Sequence, residues 1–170
     1  MTLTELNSVS EREFVRVLGS VFEHSPWVAQ ESADARPFTS VDALHRVMVN
    51  VVERADDERK RDLIRAHPDL AGKAARKGTL TADSKQEQGG AGLDRLGEAE
   101  YERFHALNAA YKERFGFPFI IAVKGHTKEG ILEAFEARLK NTQDAEKRRA
   151  LAEVAKIARF RLAALIPSDS

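Results

Sequence analysis

A chain of 170 residues suffices for one domain with its own core and is short for two. Lysine plus arginine balances aspartate plus glutamate at 27 each, so no overall field draws the protein to nucleic acid or to an anionic membrane. There is no cysteine, which excludes a disulfide scaffold, a thiolate metal site and a cysteine nucleophile together.

The N-terminus, Met1-Thr2-Leu3-Thr4-Glu5-Leu6, has neither a basic start nor an apolar signal core. Ser8 and Ser10 each precede a glutamate by three residues, and these overlapping capping boxes predict a helix to about Glu23 with Phe14, Val17, Leu18, Val21 and Phe22 on one stripe. Ser25-Pro26 reads as N-cap and first residue of a short helix through Trp27 to about Ser32, broken by Arg36-Pro37. Thr39 or Ser40 caps a third segment, where Val41, Leu44, Val47, Met48, Val51 and Val52 keep the helical period despite the valines. Asp56 to Ala66 continues as a charged helix, and Pro68 ends it, leaving His67 at a helix C-terminus.

Leu70 to Lys77 is predicted as a brief basic helix stopped by Gly78, and Thr79 or Thr81 restarts the chain toward Glu87. The run Gly89-Gly90-Ala91-Gly92 costs a helix about 1 kcal/mol per glycine relative to alanine, which predicts a place where backbone comes close to something. From Glu98 to Phe115, Tyr101, Phe104, Leu107, Tyr111 and Phe115 recur at spacings of three and four, with Gly116 as the stop. Phe117 to Val123 lacks polar residues and contains Pro118: a buried connector or a strand-like piece, and far short of the roughly 20 residues of a membrane span. Thr127 caps a helix with Ile131, Leu132, Phe135 and Leu139 inward, and the last helix runs from about Thr142 to Leu165. Pro167-Ser168-Asp169-Ser170 is not a peroxisomal address. These features predict an all-α, single-domain, bundle-like fold over 1–170, of about eight helices around a central cleft, cytoplasmic and without a membrane span.

Several residues carry chemistry. His67, set before a proline, presents an imidazole that titrates near neutrality; the structural alternative is a histidine stabilising a helix C-terminus. Ser84, Glu87 and Gln88 fall at i, i+3 and i+4, so one helical turn points a hydroxyl, a carboxylate and an amide the same way, although Ser84-Lys85-Gln86-Glu87 also reads as a plain capping box. Arg161 falls within the stripe Leu151, Val154, Ala158, Leu162 and Leu165, whereas Arg159 falls outside it. An inward arginine needs an acceptor: a structural salt bridge, for instance to Glu87, or a substrate anion. Arg65, Lys73, Arg76 and Lys77 form a modest basic patch. His24, His45, His105 and His126 lack i, i+4 pairing and cysteine partners, so no metal site is expected.

Four stretches then occur in order: Arg65-Ala66-His67-Pro68-Asp69-Leu70-Ala71-Gly72-Lys73, Leu80 to Leu93, Phe115 to Gly125, and Arg138-Leu139-Lys140-Asn141. Together they resemble the signature of the 2-oxo-4-hydroxy-4-carboxy-5-ureidoimidazoline (OHCU) decarboxylases, which form (S)-allantoin at the end of urate breakdown. The resemblance implies a carboxy-lyase with no cofactor and no metal, a small-molecule substrate and a homodimer. It assigns proton transfer to His67, a carboxylate paired with it or with the substrate's ureido group to Glu87, and an anchoring guanidinium to Arg161. It implies substrate contacts at Pro68, Ser84, Lys85, Gln86, Glu87 and Gln88, and at the backbone of Phe119, Ile120, Ile121, Ala122 and Val123. A module of the same fold that has lost catalysis and only binds partners is the alternative; it has no reason to keep His67, Ser84, Glu87 and Arg161 together.

Overall fold

The computed structural model describes residues 1–71, 80–93 and 95–167. Nine α-helices and a short 3₁₀ turn make up the regular structure among them, with no strand. The chain divides into two compact units, Met1–Ala66 with the chain from Val154 onward, and His67–Glu153.

In the first unit, Thr2 and Glu5 form a reciprocal capping box that starts α1 (Leu3–Ser8). The Ser10 hydroxyl caps α2 (Glu11–Leu18) by accepting from the Glu13 amide. Next come α3 (Trp27–Ser32), the 3₁₀ turn Ala33–Ala35, α4 (Val41–Arg54), which Ser40 caps, and α5 (Asp57–Arg65), which Asp56 caps. Leu6, Phe14, Leu18, Val28, Leu44 and Met48 are buried in its core. Each buried side chain of this size contributes about 1.5–3 kcal/mol.

Three sequence expectations need correction. Pro26, not Ser25, is the N-cap of α3, and the Ser25 hydroxyl donates to the Glu23 carbonyl instead. Ser8 closes α1, its hydroxyl donating to the Thr4 carbonyl, and does not open the next helix. The helix from Ser10 stops at Leu18 and does not reach Glu23, because the Ser20 and Val21 carbonyls face the Arg161 guanidinium at 3.2 and 3.5 Å instead of continuing a helical ladder.

In the second unit, Thr81 caps α6 (Ala82–Gly90), and α7 (Glu98–Phe115) ends at Gly116, whose φ of 79° is the left-handed conformation glycine adopts without strain. Residues 117–123 run irregularly and are buried throughout, the connector of the two alternatives. Thr127 caps α8 (Lys128–Arg138), and the last helix, α9 (Gln143–Leu165), starts in this unit and ends in the first. An aromatic core joins these pieces: Tyr111 meets Phe115, Phe117, Phe119 and Phe135 with ring centroids 4.6, 5.9, 5.3 and 6.4 Å away. Phe119 in turn stacks on Phe135 at 3.7 Å. The brief helix expected over Leu70 to Lys77 falls, from residue 72 on, outside the described residues, as do Lys73, Arg76 and Lys77 of the basic patch.

Candidate active site

Helix α7 is the spine of the candidate site. Its buried face follows Phe104, Asn108, Tyr111 and Phe115, an i, i+4, i+7, i+11 stripe. Tyr111 and Phe115 pack on Phe117 and Phe119 of the connector 117–123, while two polar residues on the same helix reach the loop that carries His67. Asn108 Nδ2 donates to the Leu70 carbonyl at 2.8 Å, and Lys112 Nζ lies 2.6 Å from Asp69 Oδ2.

Helix α6 holds that loop as well. Gln88 Oε1 accepts from the Ala71 amide at 2.9 Å, and Gln88 Nε2 donates to the Asp69 carbonyl at 3.2 Å. Ala71 has φ 52°, a left-handed conformation costly for a residue with a Cβ, and four side-chain contacts to Asp69, Leu70 and Ala71 keep it there. His67, 7 % exposed, is thus a buried imidazole just beyond α5, and the residues that follow it are tied down by two helices.

Ser84 and Gln88 are buried on one face of α6, and Glu87 is half-buried beside them. The plain capping-box alternative for Ser84 and Glu87 does not hold, because Thr81 is the cap and its hydroxyl accepts from the Ser84 amide, so Ser84 lies inside the helix. Lys85 and Gln86 are exposed, and Pro68 is half-buried. Gly89 and Gly90 end the helix, and among the described residues a Cβ at Gly90 or Gly92 would meet no atom of a packed neighbour within 4 Å, so at those two positions the glycines mark no close approach to them. What requires glycine at Gly92 is its φ of 78°.

The connector is gripped by charged side chains that the sequence reading passed over. Arg138 Nη1 donates to the Ile120 carbonyl at 2.6 Å, and its guanidinium carbon lies 4.3 Å from the Phe119 ring centroid. Glu153 Oε1 accepts from the Ala122 amide at 3.2 Å. Arg138 Nε is itself 2.7 Å from Glu146 Oε1, and that carboxylate also accepts from the Tyr111 hydroxyl at 2.7 Å and from Asn141 at 3.0 Å. Burial first, and the Glu146 hydrogen bond second, push the Tyr111 phenol well above its usual range.

Arg161 lies in the first unit. It is buried, as its place on the apolar stripe predicts, and its Nη2 sits 2.8 Å from Glu23 Oε2. Arg159 points outward to Asp42 at 2.9 Å. Glu23 is 2 % exposed and is another residue the sequence reading missed. Of the other histidines, His45 bonds the Ala155 carbonyl at 2.8 Å and His105 stacks on Tyr101. Among the described residues, no three His, Cys, Asp or Glu side chains are grouped to hold a metal ion.

The sequence profile of the OHCU decarboxylases matches residues 7–163. The chain belongs to the OHCU decarboxylase family. A family relative from Haloferax volcanii, named 2-oxo-4-hydroxy-4-carboxy-5-ureidoimidazoline decarboxylase, is 43 % identical over 99 % of this chain and 98 % of its own length. The uric acid degradation bifunctional protein PucL of Bacillus subtilis is 48 % identical over 97 % of this chain, which spans 33 % of that longer protein. Among solved structures, a crystal structure of (S)-allantoin synthase superposes with a TM-score of 0.79 at 32 % identity, covering 100 % of this chain and 55 % of that one. The OHCU decarboxylase word around His67 coincides with the clamped loop, and the word around Phe119 coincides with the gripped connector.

Proposed function

We propose that this chain decarboxylates 2-oxo-4-hydroxy-4-carboxy-5-ureidoimidazoline to (S)-allantoin and carbon dioxide without a cofactor. The substrate carries its carboxylate on a carbon bearing a hydroxyl and next to a ring C=N bond. When the bond to the carboxylate breaks, carbon dioxide leaves and the electron pair flows into that C=N, whose nitrogen takes a proton; the enol so formed becomes the product as its hydroxyl loses a proton and the neighbouring carbon gains one. The protein's tasks are then to hold the carboxylate in the leaving geometry, to stabilise the charge that develops on the ring, and to deliver a proton to one face of the carbon that becomes the stereocentre.

In this reading His67 handles the proton and Glu87 orients it, an arrangement that contributes about 10²–10⁴-fold. Arg161 anchors an anionic oxygen of the substrate through its planar fork. Pro68, Ser84, Lys85, Gln86 and Gln88 line the substrate, and the backbone of Phe119, Ile120, Ile121, Ala122 and Val123 reads its polar ring edge. The observation that carries the proposal is the pairing of a buried imidazole on a clamped loop with a buried, non-helical backbone: among the described residues neither the N–H nor the C=O of Ile121 has a hydrogen-bond partner. One domain, a homodimeric assembly and a cytoplasmic location complete the proposal; light scattering during gel filtration tests the assembly.

The decisive experiment follows circular dichroism while urate oxidase and hydroxyisourate hydrolase generate the labile substrate in the cuvette. Rapid growth of an (S)-allantoin signal on adding this protein supports the proposal. An optically silent decay that the protein does not alter overturns it in favour of a non-catalytic interaction module.

A further inference from the structure

Residues Phe119 to Val123 are held by an alternating pattern. The Ile120 carbonyl is taken by Arg138 and the Ala122 amide by Glu153, on either side of Ile121. Both gripping side chains are buried, at 5 % and 1 % exposed. Charged groups are seldom enclosed to this degree unless paired, and both are: Arg138 with Glu146, and Glu153 with Arg149, whose Nε lies 3.6 Å from Glu153 Oε2.

A purely apolar core would hold this connector at least as stably, since replacing buried ion pairs by packed hydrophobes is often neutral or favourable. What apolar packing does not do is fix the rotation and register of a backbone without its own ladder. The two charged side chains do so, because the carboxylate can only accept a hydrogen bond and the guanidinium can only donate one. A connector slipped by one residue or rolled over would present each with the wrong partner.

We propose that Arg138 and Glu153 are positioning residues that clip the connector in register and so present the Ile121 N–H and C=O to the substrate ring. The proposal rests on the decarboxylase reading above. The Glu146 carboxylate, which holds Arg138, Tyr111 and Asn141 at once, is the anchor on which the Arg138 half of the clip turns.

The test measures kcat, KM and the optical purity of product for wild type, Glu153→Leu, Glu153→Gln and Arg138→Lys, with folding checked by far-ultraviolet circular dichroism. Glu153→Leu removes the acceptor for the Ala122 amide, whereas Glu153→Gln keeps a carbonyl oxygen there. Arg138→Lys keeps a charge for Glu146 and loses the fork that spans Glu146 and Ile120. Expected are a fall in kcat/KM of about tenfold to a hundredfold for Glu153→Leu and Arg138→Lys, a loss of optical purity as spontaneous decay competes, and recovery of most of the Glu153→Leu loss by Glu153→Gln. If Glu153→Leu does not fold, Glu153→Asp, which draws the carboxylate back by one methylene, replaces it with the same expectation. Unchanged kcat/KM in folded variants, or a loss that Glu153→Gln does not recover, overturns the clip while leaving the decarboxylase reading intact. A wild type that does not turn the substrate over overturns both.

Discussion

His67 is buried on a stretch stiffened by Pro68 and bonded on its C-terminal side by Gln88, Asn108 and Lys112. Under the proposed mechanism, His67→Ala removes nearly all formation of optically pure product and leaves the melting temperature close to that of wild type; chiral chromatography and a thermal melt check both halves. Arg161 gives a prediction of another kind. Glu23 and Arg161 are both almost fully enclosed, so Glu23→Ala takes the countercharge from a buried guanidinium and costs about 3–5 kcal/mol of stability. A urea titration reads that directly, and a cost below about 1 kcal/mol would show that the guanidinium is not held mainly by this carboxylate. Arg161 is legible in the sequence because one charged residue sits in an otherwise apolar stripe. The same test applied to α7 singles out Asn108 between Phe104 and Tyr111, and applied to α8 it singles out Arg138, three residues beyond Phe135. Glu23 offers no such signal, since it follows the last apolar residue of its stripe and interrupts nothing.

At the scale of elements, caps and stops are the legible part. Ser40, Asp56, Thr81, Thr127 and Gly116 stand at helix ends where their residue types predict them. Thr127→Ala removes the acceptor for the Gly130 amide and is expected to lower stability by about 1 kcal/mol, measured by chemical denaturation, with Thr127→Ser recovering most of it. The first helix escapes a reading by periodicity because six residues are too few for a period to register, although its Thr2-x-x-Glu5 box is present. The end of α2 is overestimated for the opposite reason. Val21 and Phe22 continue the apolar spacing and are indeed buried, yet they are buried from a non-helical turn whose carbonyls serve Arg161. Hydrophobic spacing reports which residues face inward, and a long-range polar contact decides the backbone between them.

For the molecule as a whole, pH dependence follows from its buried phenol. Tyr111 keeps its proton in the folded state to a higher pH than in the unfolded chain, where the ordinary value is 10.0. A group whose folded pKa is raised contributes stability that is whole below the unfolded pKa and is lost as pH rises through the folded one. Stability should therefore decline from about pH 10 upward, and Tyr111→Phe should flatten that decline; an unchanged alkaline slope in the variant would count against the buried hydrogen bond to Glu146. At the acid end, the Lys128 hydrogen bond and then the Gly97 amide hold the Glu100 carboxyl below its usual range, so that pair's contribution is present above 4.5 and fades as the pH falls through the lowered value. Both side chains are partly open to solvent, and salt should weaken the effect.

The connector between α7 and α8 is enclosed without being a helix or a strand, and its amides are therefore shielded from water by two different means. The Ala122 N–H has an acceptor in Glu153, while the Ile121 N–H next to it has none among the described residues and is shielded by burial. In hydrogen–deuterium exchange these neighbours should part company: Ala122 waits for the clip to open, whereas Ile121 exchanges through smaller, faster excursions of the same backbone. A molecule that occupies Ile121 would then be visible as slowed exchange at a single amide, and its dwell time would be written in a part of the spectrum that global stability does not touch.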